Sequence, residues 1–118
     1  APVPEFLLRH RGELTLSAEQ VKKITVVAAA YRHDIAPFKP QVAAATAAYQ
    51  KYLERTQNEK RPEMAEIEKQ GAEVQRLSNI LATSRHSYWK QARAVLTPQQ
   101  QQRADALVTT QAKPDDLR

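Results

Sequence analysis

Three histidines, His10, His33 and His86, are the side chains best suited to metal ligation or proton transfer near neutral pH. On a helix, two metal ligands share a face when they stand four residues apart. His10 has Phe6 and Leu14 at those offsets, His33 has Ala29 and Pro37, and His86 has Ala82 and Lys90. A metal site would therefore need ligands converging from separate helices, with His10 and His86 as the candidates. Cysteine is absent, which removes disulfides and thiolate sites. Glu63, Glu66 and Glu73 have the spacing of solvated helix positions that pair with nearby bases. The sequence holds no glycine-rich phosphate loop and no Gly-x-Ser-x-Gly elbow. These residues predict a protein that is not an enzyme and carries no cofactor.

The remaining chemistry is charge beside apolar surface. Eighteen Lys and Arg against 13 Asp and Glu leave a net charge of +5. Basic clusters occur at Arg9-His10-Arg11 and Lys22-Lys23, with Arg32, Lys39, Lys51 and Arg55 further on. Their ordinary role is solubility. Their functional role would be to attract acidic or unfolded segments, with charge speeding encounter and apolar neighbours holding the partner. Phe6, Leu7, Leu8, Ile35 and Phe38 are the apolar residues best placed beside those clusters. The basic residues are interspersed with acids along the whole chain, so no nucleic-acid interface is predicted. Tyr88-Trp89 is the densest aromatic spot, suited to anchoring a neighbouring helix or a dimer seam, or to contacting a client.

The elements that must position these groups are helical. Ala, Gln, Glu, Lys, Arg and Leu dominate, and the two glycines, Gly12 and Gly71, leave few turns for a sheet. No apolar run reaches the ~18 residues of a membrane span. Residues 4 to 11 suit one short helix, with Pro4 at its first position and Gly12 past its end. Ser17-Ala18-Glu19-Gln20 is a capping box, flanked by Leu16 and Val21 as a hydrophobic staple. Val21, Ile24, Val27 or Ala28, Tyr31 and Ile35 then form one apolar stripe. Pro37 and Pro40 predict a break over 36–40 and a new helix from about 40 to 60, since each removes an amide donor. Residues 58–62 suit a hairpin turn. A long helix follows from about 62 to 95, with a stripe through Ile67, Gly71, Val74, Leu77, Leu81, Tyr88 and Val95. Such a helix is roughly 50 Å long, which predicts an elongated molecule. Thr97-Pro98-Gln99-Gln100 is a second capping box, opening a last helix to about 112 that buries Ala104, Leu107 and Val108. Residues 1–13 are expected to be mobile and 113–118 to be a frayed tail. The chain is thus a single all-α domain, an elongated antiparallel hairpin of four to five helices with a proline-broken second arm.

Two of these signals match each other. Leu16-Ser17-Ala18-Glu19-Gln20 and Leu96-Thr97-Pro98-Gln99-Gln100 are both leucine, hydroxyl cap, two variable residues, glutamine. With Leu14-Thr15 before the first and Val95 before the second, the chain from about Glu13 to Leu107 resembles the Spy/CpxP family of bacterial periplasmic proteins. The structural motif residues are Leu16, Ser17, Gln20, Leu96, Thr97, Pro98 and Gln100.

The resemblance implies a homodimer of hairpins forming a curved cradle, in the periplasm, after removal of a signal peptide or N-terminal anchor. It also implies an ATP-independent chaperone, or a stress adaptor that inhibits a sensor kinase through its periplasmic domain. Stable membrane insertion of this chain is not implied. The partner-binding candidates are Phe6, Leu7, Leu8, Arg9, Arg11, Lys22, Lys23, Arg32, Ile35, Phe38, Lys39, Lys51 and Arg55. Spy-like chains are rich in methionine, and this one has only Met64. More distant resemblance to the CnrX and ZraP group implies, as the alternative, a metal-responsive regulatory domain. CnrX-like sensors place a histidine and a methionine on the long helix. Counted back from Leu96, the matching positions here are Tyr88 and Ala92.

Overall fold

The computed structural model describes residues 1–57 and 63–117. Its elements are α1 (Glu5–Arg9), α2 (Arg11–Leu14), α3 (Ala18–Ile35), α4 (Phe38–Thr56), α5 (Met64–Arg93) and α6 (Pro98–Gln111), followed by a 3₁₀ turn (Pro114–Leu117). The protein is all-helical, with no strand among the described residues. Its contacts divide it into two compact units, Ala1–Asp34 with Ala82–Arg118, and Ile35–Leu81.

The first unit holds the main core: Phe6, Leu7, Leu14, Ile24, Trp89, Ala92, Leu96, Ala104 and Leu107. α3 starts where its capping box predicts. Ser17 Oγ accepts from the Gln20 amide at 3.1 Å, and the Ser17 amide donates to Gln20 Oε1 at 2.9 Å. α3 and the last part of α5 run antiparallel: Tyr31 meets Tyr88 at 5.8 Å between ring centroids, while Gln20 reaches the carbonyl of Val95. α5 ends at Arg93, whose carbonyl accepts from the Leu96 amide at 3.0 Å, and Gln101 Nε2 donates to the carbonyls of Arg93 and Leu96. α6 then begins at Pro98 under its own capping box.

Three expectations for this unit are corrected. The single helix over 4–11 is two short helices meeting at His10, and Gly12 lies inside the second. The left-handed stop residue is Thr15, with φ 53°. Gly12 has a helical role that any small residue could fill, since a Cβ built there would meet nothing. The tail over 113–117 is also not frayed. Asp116 is buried, accepts from the Lys113 amide at 2.8 Å and pairs with the Arg9 guanidinium, and its carbonyl takes the Val3 amide. The same bonds hold down the first residues, and Phe6 and Leu7 are fully buried, so the N-terminal segment is part of the core.

In the second unit the proline break spans 36–37. α4 begins at Phe38, with Pro37 as its cap and Pro40 inside its first turn. The expected start near 40 moves back by two residues because a first-turn amide has no intrahelical acceptor, so Pro40 loses nothing there. α4 and the first part of α5 run antiparallel. A Cβ on Gly71 would lie 3.3 Å from the Tyr49 hydroxyl, so the glycine makes room for the tyrosine. Thr56 is buried, its hydroxyl donating to the carbonyls of Tyr52 and Leu53. Leu77 is buried as the α5 stripe predicts. The hairpin turn expected at 58–62 lies outside the described residues.

Candidate functional site

The two capping boxes meet. In the second box the Thr97 amide donates to Gln100 Oε1 at 2.9 Å, and the Gln100 amide donates to Thr97 Oγ1 at 3.2 Å. Each glutamine oxygen thus caps its own helix, leaving an NH₂ group to bond elsewhere. Gln20 Nε2 donates to Gln100 Oε1 at 2.7 Å and Gln100 Nε2 donates to Gln20 Oε1 at 3.1 Å. The spare donor sites reach backbone: Gln20 to the carbonyl of Val95, Gln100 to those of Leu14 and Thr15. A glutamate could serve either cap but has no N–H to give, and two facing carboxylates would repel. The clasp therefore requires glutamine, and it ties the starts of α3 and α6 to the end of α2. Both boxes were visible in the sequence. Their contact was not, because 80 residues separate them; the one hint was glutamine at both third positions.

The partner-binding candidates separate into four groups. Phe6, Leu7 and Ile35 are buried, so they build the interior instead of an accessible surface. The reason is amphipathic packing: Phe6 sits edge-on to Trp89 at 6.3 Å and shares its cluster. Leu8 is half-buried against that same cluster, and Phe38 is half-buried at the start of α4. Several cations are engaged. Arg9 pairs with Asp116, Arg32 with Glu5, and Arg11 donates to the Leu8 carbonyl at 3.3 Å. Arg55 lies over the Tyr52 ring, 5.3 Å from its centroid. Lys22, Lys23, Lys39 and Lys51 are exposed, and none has a carboxylate partner among the described residues.

On α3 the structure sets Val26, 66% exposed, one turn from Lys22 and Lys23. Sequence reasoning passed over Val26 because it lies off the apolar stripe. Its signal was a valine at the i+4 position of Lys22 and the i+3 position of Lys23. On α4, Lys51 and Arg55 are likewise one turn apart. Charge beside an exposed apolar side chain is thus available on α3, and paired positive charge on α4.

The histidines do not converge. His10 lies against the Phe6 ring at 4.4 Å and bonds Glu13 through Nδ1 at 2.9 Å. His33 and His86 are exposed. Among the described residues, no three His, Asp or Glu side chains are grouped so as to hold a metal ion. Trp89 is a packing anchor, clustered with Ala104 and Leu107 of α6. Tyr88 donates its hydroxyl to Asp34, and that bond, with some burial, holds its phenol above the usual range. Burial likewise raises the Tyr31 phenol, against the opposing influence of Arg85.

No described helix is long and apolar enough to cross a membrane. No curated protein and no solved structure matches the chain. A family model described as LTXXQ motif family protein matches residues 9–108, a span that runs across both capping boxes and the clasp between them. This chain belongs to the LTXXQ motif family.

Proposed function

We propose that this protein is a periplasmic, ATP-independent chaperone or envelope-stress adaptor. In this reading it is a non-catalytic homodimer. Its exposed cationic surface holds unfolded or partly folded proteins, or the periplasmic domain of a sensor kinase. Family membership supports the class of function. The observation that carries the binding mode is on α3, where Lys22 and Lys23, exposed and without carboxylate partners among the described residues, flank the exposed Val26. Charge brings a partner in over the screening distance, about 8 Å at physiological salt, and apolar contact slows its departure. Because Phe6 and Leu7 are used in the interior of the first unit, the gripping surface there falls to Val26 and Leu8.

The test is light scattering from a chemically denatured client at equimolar protein without nucleotide. Suppression is expected, reduced several-fold by Lys22→Glu with Lys23→Glu and by added salt. Absence of suppression across several clients, together with no binding to a sensor-kinase periplasmic domain, overturns the reading. Zinc, copper or nickel binding tighter than micromolar, lost on replacing His10 or His86, would instead support metal-responsive regulation.

A further inference from the structure

The antiparallel pair of α4 and α5 in the second unit carries an open groove of about 690 Å³, lined by Ala48, Lys51, Tyr52, Glu54, Arg55 and Gln70. A smaller hollow of about 130 Å³ adjoins it, sharing Ala48 and Gln70 and reaching Ala45. At ~1.5 Å rise per residue, Ala45 to Arg55 spans about 15 Å, the length of about five extended residues. The Ala45 and Ala48 side chains leave a shallow apolar stretch along it.

Gln70 gives the groove a polar demand. Its Nε2 donates to Glu66 Oε1 at 3.0 Å, which fixes the amide orientation, since the reverse would set two oxygens together. Oε1 is then buried, with no donor among the described residues. A buried acceptor without a donor is unfavourable by about 1–3 kcal/mol, so a ligand N–H there is welcome. Charge marks one end. Lys51 and Arg55 stand one turn apart against the single carboxylate Glu54, while Glu73 at the other end is engaged by Arg76 through two bonds at 2.7 and 3.0 Å.

We infer that this groove takes an extended acidic–apolar segment of an unfolded protein, with a backbone N–H on Gln70 Oε1, a carboxylate at Lys51 and Arg55, and an apolar side chain over Ala45 and Ala48. The inference rests on the partner-binding reading above and assigns it a recognition site of defined length and polarity. Lysine-rich segments are disfavoured at the Arg55 end by like charge.

The probe is a fluorescein-labelled five-residue peptide of alternating aspartate and leucine, with its lysine–leucine counterpart as control, titrated with the full chain by fluorescence anisotropy. The acidic peptide is expected to bind about tenfold tighter than the basic one. Lys51→Glu with Arg55→Glu should weaken it by about tenfold, and Gln70→Met by a few-fold. Ala48→Trp, introduced at an exposed position, should block the groove while circular dichroism stays unchanged. Acidic-peptide affinity that is unaltered in both the charge-reversed and the Ala48→Trp chains overturns the inference. Parallel client-aggregation assays separate the two readings. Suppression that persists with no groove dependence sinks the groove alone. Groove binding without any suppression sinks the chaperone reading and leaves the groove.

Discussion

The side-chain amides of Gln20 and Gln100 bond each other in both directions, at 2.7 and 3.1 Å, while each oxygen also caps the helix that its own residue opens. Two local helix starts are thereby converted into one long-range junction. Gln20→Glu or Gln100→Glu keeps a capping acceptor but deletes the donor, and each should destabilise the fold by about 1–2 kcal/mol in urea unfolding. Replacing both should exceed the sum of the single changes, because two carboxylates would then face each other. Strict additivity would show that the junction contributes no coupling.

Thr15 supplies the left-handed stop of α2 at φ 53°, a conformation strained for a β-branched residue by about 1–2 kcal/mol. Its side chain is exposed, so little packing is lost on substitution. Thr15→Asn should raise the urea midpoint, as should Thr15→Gly by a smaller amount, since glycine also frees the unfolded chain. A lower midpoint in both would mean that the threonine side chain has a contact that outweighs its backbone strain.

The junction of Arg9 with Asp116 closes the C-terminal turn over the first residues. Asp116 is buried but Arg9 is half exposed, so the pair is discounted for solvent screening. Asp116→Asn should cost about 1–2 kcal/mol, with faster amide exchange at Val3, whose N–H donates to the Asp116 carbonyl. Unchanged exchange at Val3 would show that the turn is held without the ion pair.

Gly71 sits where α5 passes Tyr49. Alanine there gains about 1 kcal/mol of helix propensity, but its Cβ would lie 3.3 Å from the Tyr49 hydroxyl. That oxygen ends a flexible side chain and can retreat slightly, so Gly71→Ala should be close to neutral. Gly71→Leu must evict the ring and should cost about 1–3 kcal/mol in thermal or urea unfolding. Equal stability of the alanine and leucine chains would argue against the close passage.

Tyr88 and Tyr31 both have phenols held above the ordinary value of 10.0, Tyr88 chiefly by its bond to Asp34 and Tyr31 by burial. For a raised phenol the neutral form is favoured in the folded state. Its stabilising effect is complete below pH ~10, where folded and unfolded phenols are both protonated. It is lost as pH climbs from there through the folded-state value, because the unfolded chain ionises first. Ultraviolet titration should therefore show Tyr31 and Tyr88 ionising late. Asp34→Asn should return Tyr88 toward its ordinary range while leaving Tyr31 late. A wild type in which neither the Tyr31 nor the Tyr88 phenol ionises late would remove the basis for this.

Much of the architecture is determined by local physics. Ser17 with Gln20, and Thr97 with Gln100, start helices through bonds made within four residues, and the burial of Ile24, Ala28 and Tyr31 on α3 and of Leu77 on α5 is a matter of helical period. Those features were legible in the chain alone, as was the proline break, because each depends on neighbours in sequence. What only the tertiary structure decided are contacts whose partners are far apart along the chain. Periodicity cannot say whether Phe6 and Leu7 face solvent or Trp89; the cluster formed with α5 and α6 puts them inside. Composition makes a terminal Pro-Asp-Asp run look frayed; Arg9, more than a hundred residues away, holds it. The same holds for the two glutamines: sequence determined that each would cap a helix, and only the fold brought their amides within bonding distance of one another.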